Sequence, residues 1–483
     1  MVRTANSHNS NTSASDRAGE DDPSRTGRRS YLKLLGTVAA ASAVPSGVTA
    51  AASSSIPSSL ADDYGTVVDV VEAGADNTGS TSVVDVLRAH AGDDTLLWFP
   101  PGRYLMDEQF RLSGFTNFGL VGPDATIVPA RMDSVSGNIV SGEFTGPARL
   151  FKLGTYYAPG NGLRVEGFTF DYTAPGIGLR AIQAQVDDDL LIKDITVEGI
   201  HDGGTWGPIA ADITDPNGIG TLQNVSLPDG GAFSVDTDGD IWVGPTGILV
   251  TPYHKGKLWV KDSTVVGFPD NGLYDSGPDG RIVVDGGLYK NSNAANIRLA
   301  GDNCNIRNAT VVVDANRGGD LNQRGIRLDS GDGLWLDNVD IRLEKPNGNA
   351  ITVMNGVGSA KIEDSSIYIG PDDARVSHGI SIHPDAGPTD VQDVTIETHA
   401  PGNAIKVDPA SEVGVASRRS TSPSRATHPA PAAGTPSGAT ATTASSTTSR
   451  STSQARTTGA PSRSAATTVS STAASTGRPT TPS

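Results

Sequence analysis

Arg298 and Arg327 each follow an isoleucine in a short alternating run, Asn296-Ile297-Arg298-Leu299 and Gly325-Ile326-Arg327-Leu328. Tyr274 and Asp275 close a similar run one repeat earlier. Asp270 and Asn271 open that run, and Asp329 follows Arg327. A guanidinium group takes a carboxylate in a planar fork, and a neighbouring acid or base can move a proton. On successive strands these residues would make an acid–base–cation cluster for an anionic ligand. Arg298, Arg327 and Asp275 would then be catalytic, with Tyr274 and Asn271 touching the ligand. Asp270 and Asp275 could supply oxygens to a Ca²⁺ ion. A plainer reading stays open, in which outward arginines only balance nearby aspartates.

Other groups are scattered. Tyr253-His254-Lys255, and His201-Asp202 with Trp206, fall in turns, where an aromatic ring beside a histidine could stack on a sugar. Asp187-Asp188-Asp189 and Asp372-Asp373 read as acidic surface. The single cysteine, Cys304, excludes an intramolecular disulfide and argues against a Cys-based metal cluster.

A repeat must position these groups. Its first motif includes RGIRL (324–328), NAITV (349–353), HGISI (378–382) and NAIKV (403–407). The leading apolar position recurs at Phe151, Ile182, Ile209, Ile248, Leu273, Ile297, Ile326, Ile351, Ile380 and Ile405. A second motif, apolar-x-(Asp/Asn)-x-x-apolar, alternates with it, as in IKDITV (192–197), IRNATV (306–311) and IEDSSI (362–367). Each unit holds short alternating strands between Gly/Asn/Asp turns. One unit cannot bury its own apolar face, so units must stack, with each isoleucine resting on its counterpart. The Asp/Asn positions are expected to hydrogen-bond turn backbone from coil to coil. Roughly ten coils at about 4.8 Å each form an all-β, parallel β-helix over residues 131–410. The residues after the isoleucines then form an outward row, running from Lys152 through Tyr274, Arg298 and Arg327 to Lys406.

The segment before the repeats, VVDVVEAGADNTGSTSVVDVLRAHAGDDTLLWFPPGRYLM (67–106), resembles the opening of the pectate-lyase superfamily of right-handed β-helices. The resemblance implies a strand, a turn at Ala73-Gly74-Ala75-Asp76, a capping helix from about Ser80 to Ala91, and a strand ending Phe99-Pro100-Pro101-Gly102-Arg103-Tyr104. It makes residues 53–130 a cap with the first strands, and it extends over residues 65–410. It also implies polysaccharide binding along the outward row. A lyase acting on uronates would use Arg298 and Arg327 as cation and base, with Tyr274, Asn271, Lys406, His378 and His254 contacting the sugar chain. The alternative is a surface rod that binds glycan without cleaving it. His378-Gly379-Ile380-Ser381-Ile382 is similar to a polygalacturonase segment, but the aspartate pair one coil earlier and the Arg of the later Arg-Ile-Lys are missing. A hydrolase needs two carboxyls flanking the bond, so hydrolysis is the weaker expectation.

Composition sets the outer limits. The 483 residues carry a net charge of −17, which argues against a nucleic-acid partner. Residues 53–416 hold 24 basic and 50 acidic residues, and only nine of the basic ones are lysine. That resembles the salt-adapted surface of a halophilic archaeal protein. Gly27-Arg28-Arg29-Ser30-Tyr31-Leu32-Lys33 and the apolar stretch after it resemble a twin-arginine export signal within residues 1–52. No apolar run reaches the ~20 residues of a membrane span, so nothing is expected to anchor the mature chain in a bilayer. The export signal implies a protein secreted or at the cell surface, and a monomer is expected. AFSVDTDGDIWVG (232–244) reads as a protruding hairpin. Residues 411–483, rich in Ser, Thr, Pro and Arg, cannot bury a core and are expected to be disordered. They are either a stalk or the product of a reading-frame change near Ser417.

Overall fold

The computed structural model describes residues 56–237 and 244–407, with the backbone of residues 420–421. The twin-arginine segment, the Asp238-Gly239 turn and nearly all of the tail lie outside the described residues. Between them the chain winds into a parallel β-solenoid.

The long outward-facing sheet has eleven strands in file, from Phe110–Leu112 to Ile405–Val407. Its register is the isoleucine column. Phe151 pairs with Ile182, Ile182 with Ile209, Ile209 with Ile248, and Ile248 with Leu273. Leu273 then pairs with Ile297, followed by Ile326, Ile351, Ile380 and Ile405. Phe110 starts the column one coil before the repeat becomes readable. From Phe110 to Ile380 every member is at most 1% exposed, and each such burial is worth about 1.5–3 kcal/mol. Coil length varies, but the register does not. The 39 residues from Ile209 to Ile248 still advance the column by one strand.

The second motif makes the corner between the other two strands of each coil. Its third residue lies in the left-handed region in all seven Asp/Asn copies: Asp194, Asn224, Asp262, Asn308, Asn338, Asp364 and Asp393 have φ between 47° and 57°. The two weaker copies place Gly167 and Gly286 there, at 86° and 76°. Backbone conformation therefore selects this position, since Asn, Asp and Gly adopt it at low cost. The expected coil-to-coil bonding is a partial extra: Asn224 Nδ2 donates to Asp194 at 2.7 Å, and Asn338 Nδ2 to Asn308 at 2.8 Å.

The N-terminal cap forms around the implied motif. Helix Val84–His90 lays Val84 and Leu87 on the core, and Tyr104 Oη donates to the Pro100 carbonyl at 2.6 Å. The helix is shorter than expected at its start. Thr78–Ser82 is a strand, held by the Asp76 carboxylate, which accepts from the backbone N–H groups of Thr78, Ser80 and Thr81. An antiparallel three-stranded insert, Met132–Ser136, Ile139–Gly142 and Gly146–Pro147, was not legible from the repeat. In the expected hairpin, Ser234–Asp236 forms one 3₁₀ turn instead of a strand arm. Among the described residues, no helix is long and apolar enough to cross a membrane.

The corner yields a prediction. Asn338→Gly should leave stability within about 0.5 kcal/mol of the parent, whereas Asn338→Val should cost about 1–2 kcal/mol, as read by denaturant unfolding. Equal losses in the two variants would contradict selection by φ.

Candidate functional site

The register places Tyr274 beside Arg298 and Arg298 beside Arg327 on three successive strands. All three side chains are half-buried on the outward face. The Arg298 guanidinium lies over the Tyr274 ring, 4.3 Å from its centroid. Arg298 Nη2 donates to Asp329 Oδ2 at 2.7 Å, and Arg327 Nε donates to Asp329 Oδ1 at 2.7 Å. One carboxylate thus bridges two guanidinium groups. The buried Nε of Arg298 and Oγ1 of Thr352, which follows Arg327 in the row, have no hydrogen-bond partner.

Arg324 adds a third cation that the sequence reading passed over. It begins the strand of Arg327, and Arg324 Nη1 donates to the Ala294 carbonyl at 3.1 Å. Burial, then the charges of Arg327 and Arg298, lowers its affinity for its proton. The signal lies in the position two before the column, which holds Arg at 149, 180 and 324. Asp270 lies near the same arginines. Burial raises its pKa, opposed by the hydrogen bond from Thr246 and by the charges of Arg298 and Arg327. Asp270 Oδ2 accepts from Thr246 Oγ1 at 3.1 Å, and its Oδ1 accepts from Asn271 Nδ2 at 2.9 Å.

Other expected members sit elsewhere. Asp275 is 1% exposed and faces the core, as strand alternation after the outward Tyr274 requires. Its oxygens accept from the Gly277 N–H at 2.9 Å and the Ala300 N–H at 3.0 Å. It cannot reach a ligand over the arginines. Asp270 and Asp275 stand about 16 Å apart along an extended segment and do not form a shared donor set. Among the described residues, no three His, Cys, Asp or Glu side chains converge as a metal site. Asn271 is fully buried, and its Oδ1 has no partner.

His254 is also fully buried, not displayed in a turn. Its Nδ1 accepts from the Ile213 N–H at 3.1 Å, and its Nε2 faces the Arg281 carbonyl at 3.3 Å. The imidazole serves backbone groups at strand ends, and burial lowers its pKa. His378 lies at the start of its strand, where its Nδ1 accepts from the Asn403 N–H at 3.0 Å. Lys406 keeps its place in the outward row, but three strands beyond Arg327, roughly 14 Å away. The structure therefore joins Tyr274, Arg298, Arg327 and Asp329, with Arg324 and Asp270 at one side. It leaves Asp275, His254, His378 and Lys406 outside the cluster.

No family model matches the chain, and no curated protein matches it. Solved structures do. The surface adhesin PfbA of Streptococcus pneumoniae superposes with a TM-score of 0.44 at 14% identity, over 70% of this chain and 100% of that one. The mannuronan C-5 epimerase AlgE4 A-module of Azotobacter vinelandii gives 0.46 at 13%, over 73% and 100%. A tailspike of an Acinetobacter phage gives 0.37 at 15%, over 71% and 63%. At such identities no site residue transfers from one protein to another.

Burial pushes the Asp275 carboxyl up to about 8, against an ordinary value near 3.9 for the unfolded chain. Between those values the folded state binds more protons than the unfolded one. Stability is therefore lost as pH rises through this window. Asn cannot ionise but replaces one of the two accepting oxygens with an N–H donor, so Asp275→Asn should carry a fixed cost and yet gain at least ~1 kcal/mol on the parent between pH 4 and pH 9. A difference that does not change with pH would contradict a protonated Asp275.

Proposed function

We propose that this protein is an exported, pectin-lyase-like parallel β-helix that binds acidic, uronate-containing polysaccharide along its outward strand row. The observation that carries the reading is the pair of guanidinium groups on adjacent strands, bridged by Asp329, with Tyr274 beneath one of them. A uronate brings a carboxylate for the cations and an apolar ring face for the tyrosine. Successive strands repeat at about 4.8 Å, so an extended polymer lying along the row meets a new side chain at each step.

The same geometry favours binding over elimination at this cluster. Guanidinium groups do not give up their protons in proteins, and both arginines are ion-paired to Asp329. Asp275, the other expected proton-moving group, faces the core. The non-catalytic reading is therefore preferred here to Arg-based β-elimination.

Titration with polygalacturonate tests this. Arg298→Ala and Arg327→Ala should each weaken binding about tenfold, the loss of one charge-assisted contact. Asp329→Asn, which removes the competing negative charge and one of the two accepting oxygens, should strengthen it. Neutral dextran should not bind, and no ultraviolet absorbance from unsaturated uronate ends should develop. Unchanged affinity in all three variants would reduce the arginines to charge balance.

A further inference from the structure

A second group of cations lies elsewhere, on the early coils. Arg111 and Lys152 are register neighbours on adjacent strands, as are Arg149 and Arg180. Lys152 and Arg180 are each only 6% exposed, and Arg149 is half-buried. Among the described residues, none of the four makes an ion pair. Lys152 Nζ donates to a neutral acceptor, Gln185 Oε1, at 2.7 Å. Arg180 Nε donates to the Trp206 carbonyl at 3.1 Å, and its Nη1 to Gln183 Oε1 at 3.2 Å. Burying a cation without a counter-charge is costly. In a chain with 54 acidic and 37 basic residues, leaving four cations together without a carboxylate partner calls for an anion from outside.

The surroundings are built as a ring. Gln185 Nε2 donates to Asp212 Oδ2 at 2.9 Å, and Thr251 Oγ1 donates to the same oxygen at 2.7 Å. Two residues on, the Tyr253 ring stacks on Tyr156 at 4.3 Å and 5°. Tyr156 meets Tyr157 edge-on at 5.0 Å, and Arg111 Nη2 donates to Tyr157 Oη at 2.6 Å. That returns the circuit to Lys152's neighbour. The three tyrosines are 43–64% exposed, so the ring joins solvent-open aromatic residues to cations that run from exposed Arg111 through half-buried Arg149 to buried Lys152 and Arg180. Asp212, the single carboxylate in the circuit, is already held by Gln185 and by the Thr251 backbone and hydroxyl.

We propose that Arg111, Arg149, Lys152 and Arg180, with Tyr156, Tyr157 and Tyr253, form a second subsite that binds a carboxylated sugar unit. The ligand class rests on the reading of the outward row given above. The site itself rests on separate residues. Lys152 lies five strands before Arg298 in the row, roughly 24 Å away, so one long chain could engage both places and a trimer could not. Burial, and then the charge of Arg149, pushes the Lys152 ammonium down to about 7. Arg111, Arg149 and Arg180 face it as cations, and Asp212 as the one anion. A bound carboxylate favours the ammonium form, so binding takes up a proton and weakens as pH rises above 7.

The test uses a trimer of galacturonate and the full chain, titrated calorimetrically in the Arg298→Ala/Arg327→Ala double variant. The trimer should bind this background. Adding either Lys152→Met or the exposed Arg111→Ala should weaken binding at least tenfold, and wild-type Lys152 should be acetylated by acetic anhydride near neutral pH and protected by the trimer. The affinity should also fall from about pH 6 to about pH 9, a trend that Lys152→Met abolishes. No trimer binding in the double variant, with binding retained in the parent, would overturn the second subsite and leave the arginine cluster standing. Equal binding of a neutral maltotriose, or affinity unchanged by both added substitutions, would overturn it as well.

Discussion

The stacking of one apolar side chain on the next, from Phe110 to Ile405, is the constraint from which the rest follows. A single coil has no interior of its own, so its aliphatic residue is buried only when the neighbouring coils present theirs at the same height. A slip of one residue would turn the whole inward set outward. Register is therefore fixed strand by strand, and every outward residue inherits a fixed neighbour. Arg298 lies beside Arg327 because Ile297 lies on Ile326. Charge repulsion between the arginines is countered locally by Asp329, two residues after Arg327 and on the same face.

The corners serve the same end. A left-handed Asp, Asn or Gly bends each coil between two short strands without lengthening it. Coil length varies between paired strands, as from Ile209 to Ile248, without moving the register. The scaffold can thus change its loops, including the one carrying Tyr253, while the floor beneath them stays in register.

The architecture was legible in the sequence because its period is carried by residues that each obey one rule. Isoleucine marks the inward column, and Asp/Asn marks the corner. The site was legible only in part. Tyr274, Arg298 and Arg327 follow from the column. Asp275 was misplaced because closeness in sequence was read as closeness in space, although alternation sends it to the opposite face. His254 could not be placed from pattern alone. Its burial answers an unpaired N–H at Ile213, created by a turn whose path the sequence does not state. Arg149, Arg180 and Arg324 share a position two before the column, where the strand begins and alternation breaks down. Their long side chains reach the outward side from a site that the period marks as inward.

On the eleven-stranded sheet the register sets cations side by side at two places, Arg111 with Lys152 and Arg298 with Arg327, and adjacent positive charges attract an anionic polymer more than either alone. Hydroxyl-radical footprinting with and without polygalacturonate tests the account most directly. Tyr274, Tyr156, Tyr157 and Tyr253 should be shielded together by the polymer, while Trp335 and Tyr368, on the other sheet, stay as reactive as in the free protein. Shielding spread evenly over both sheets, or none at the four tyrosines under conditions where the polymer binds, would contradict it.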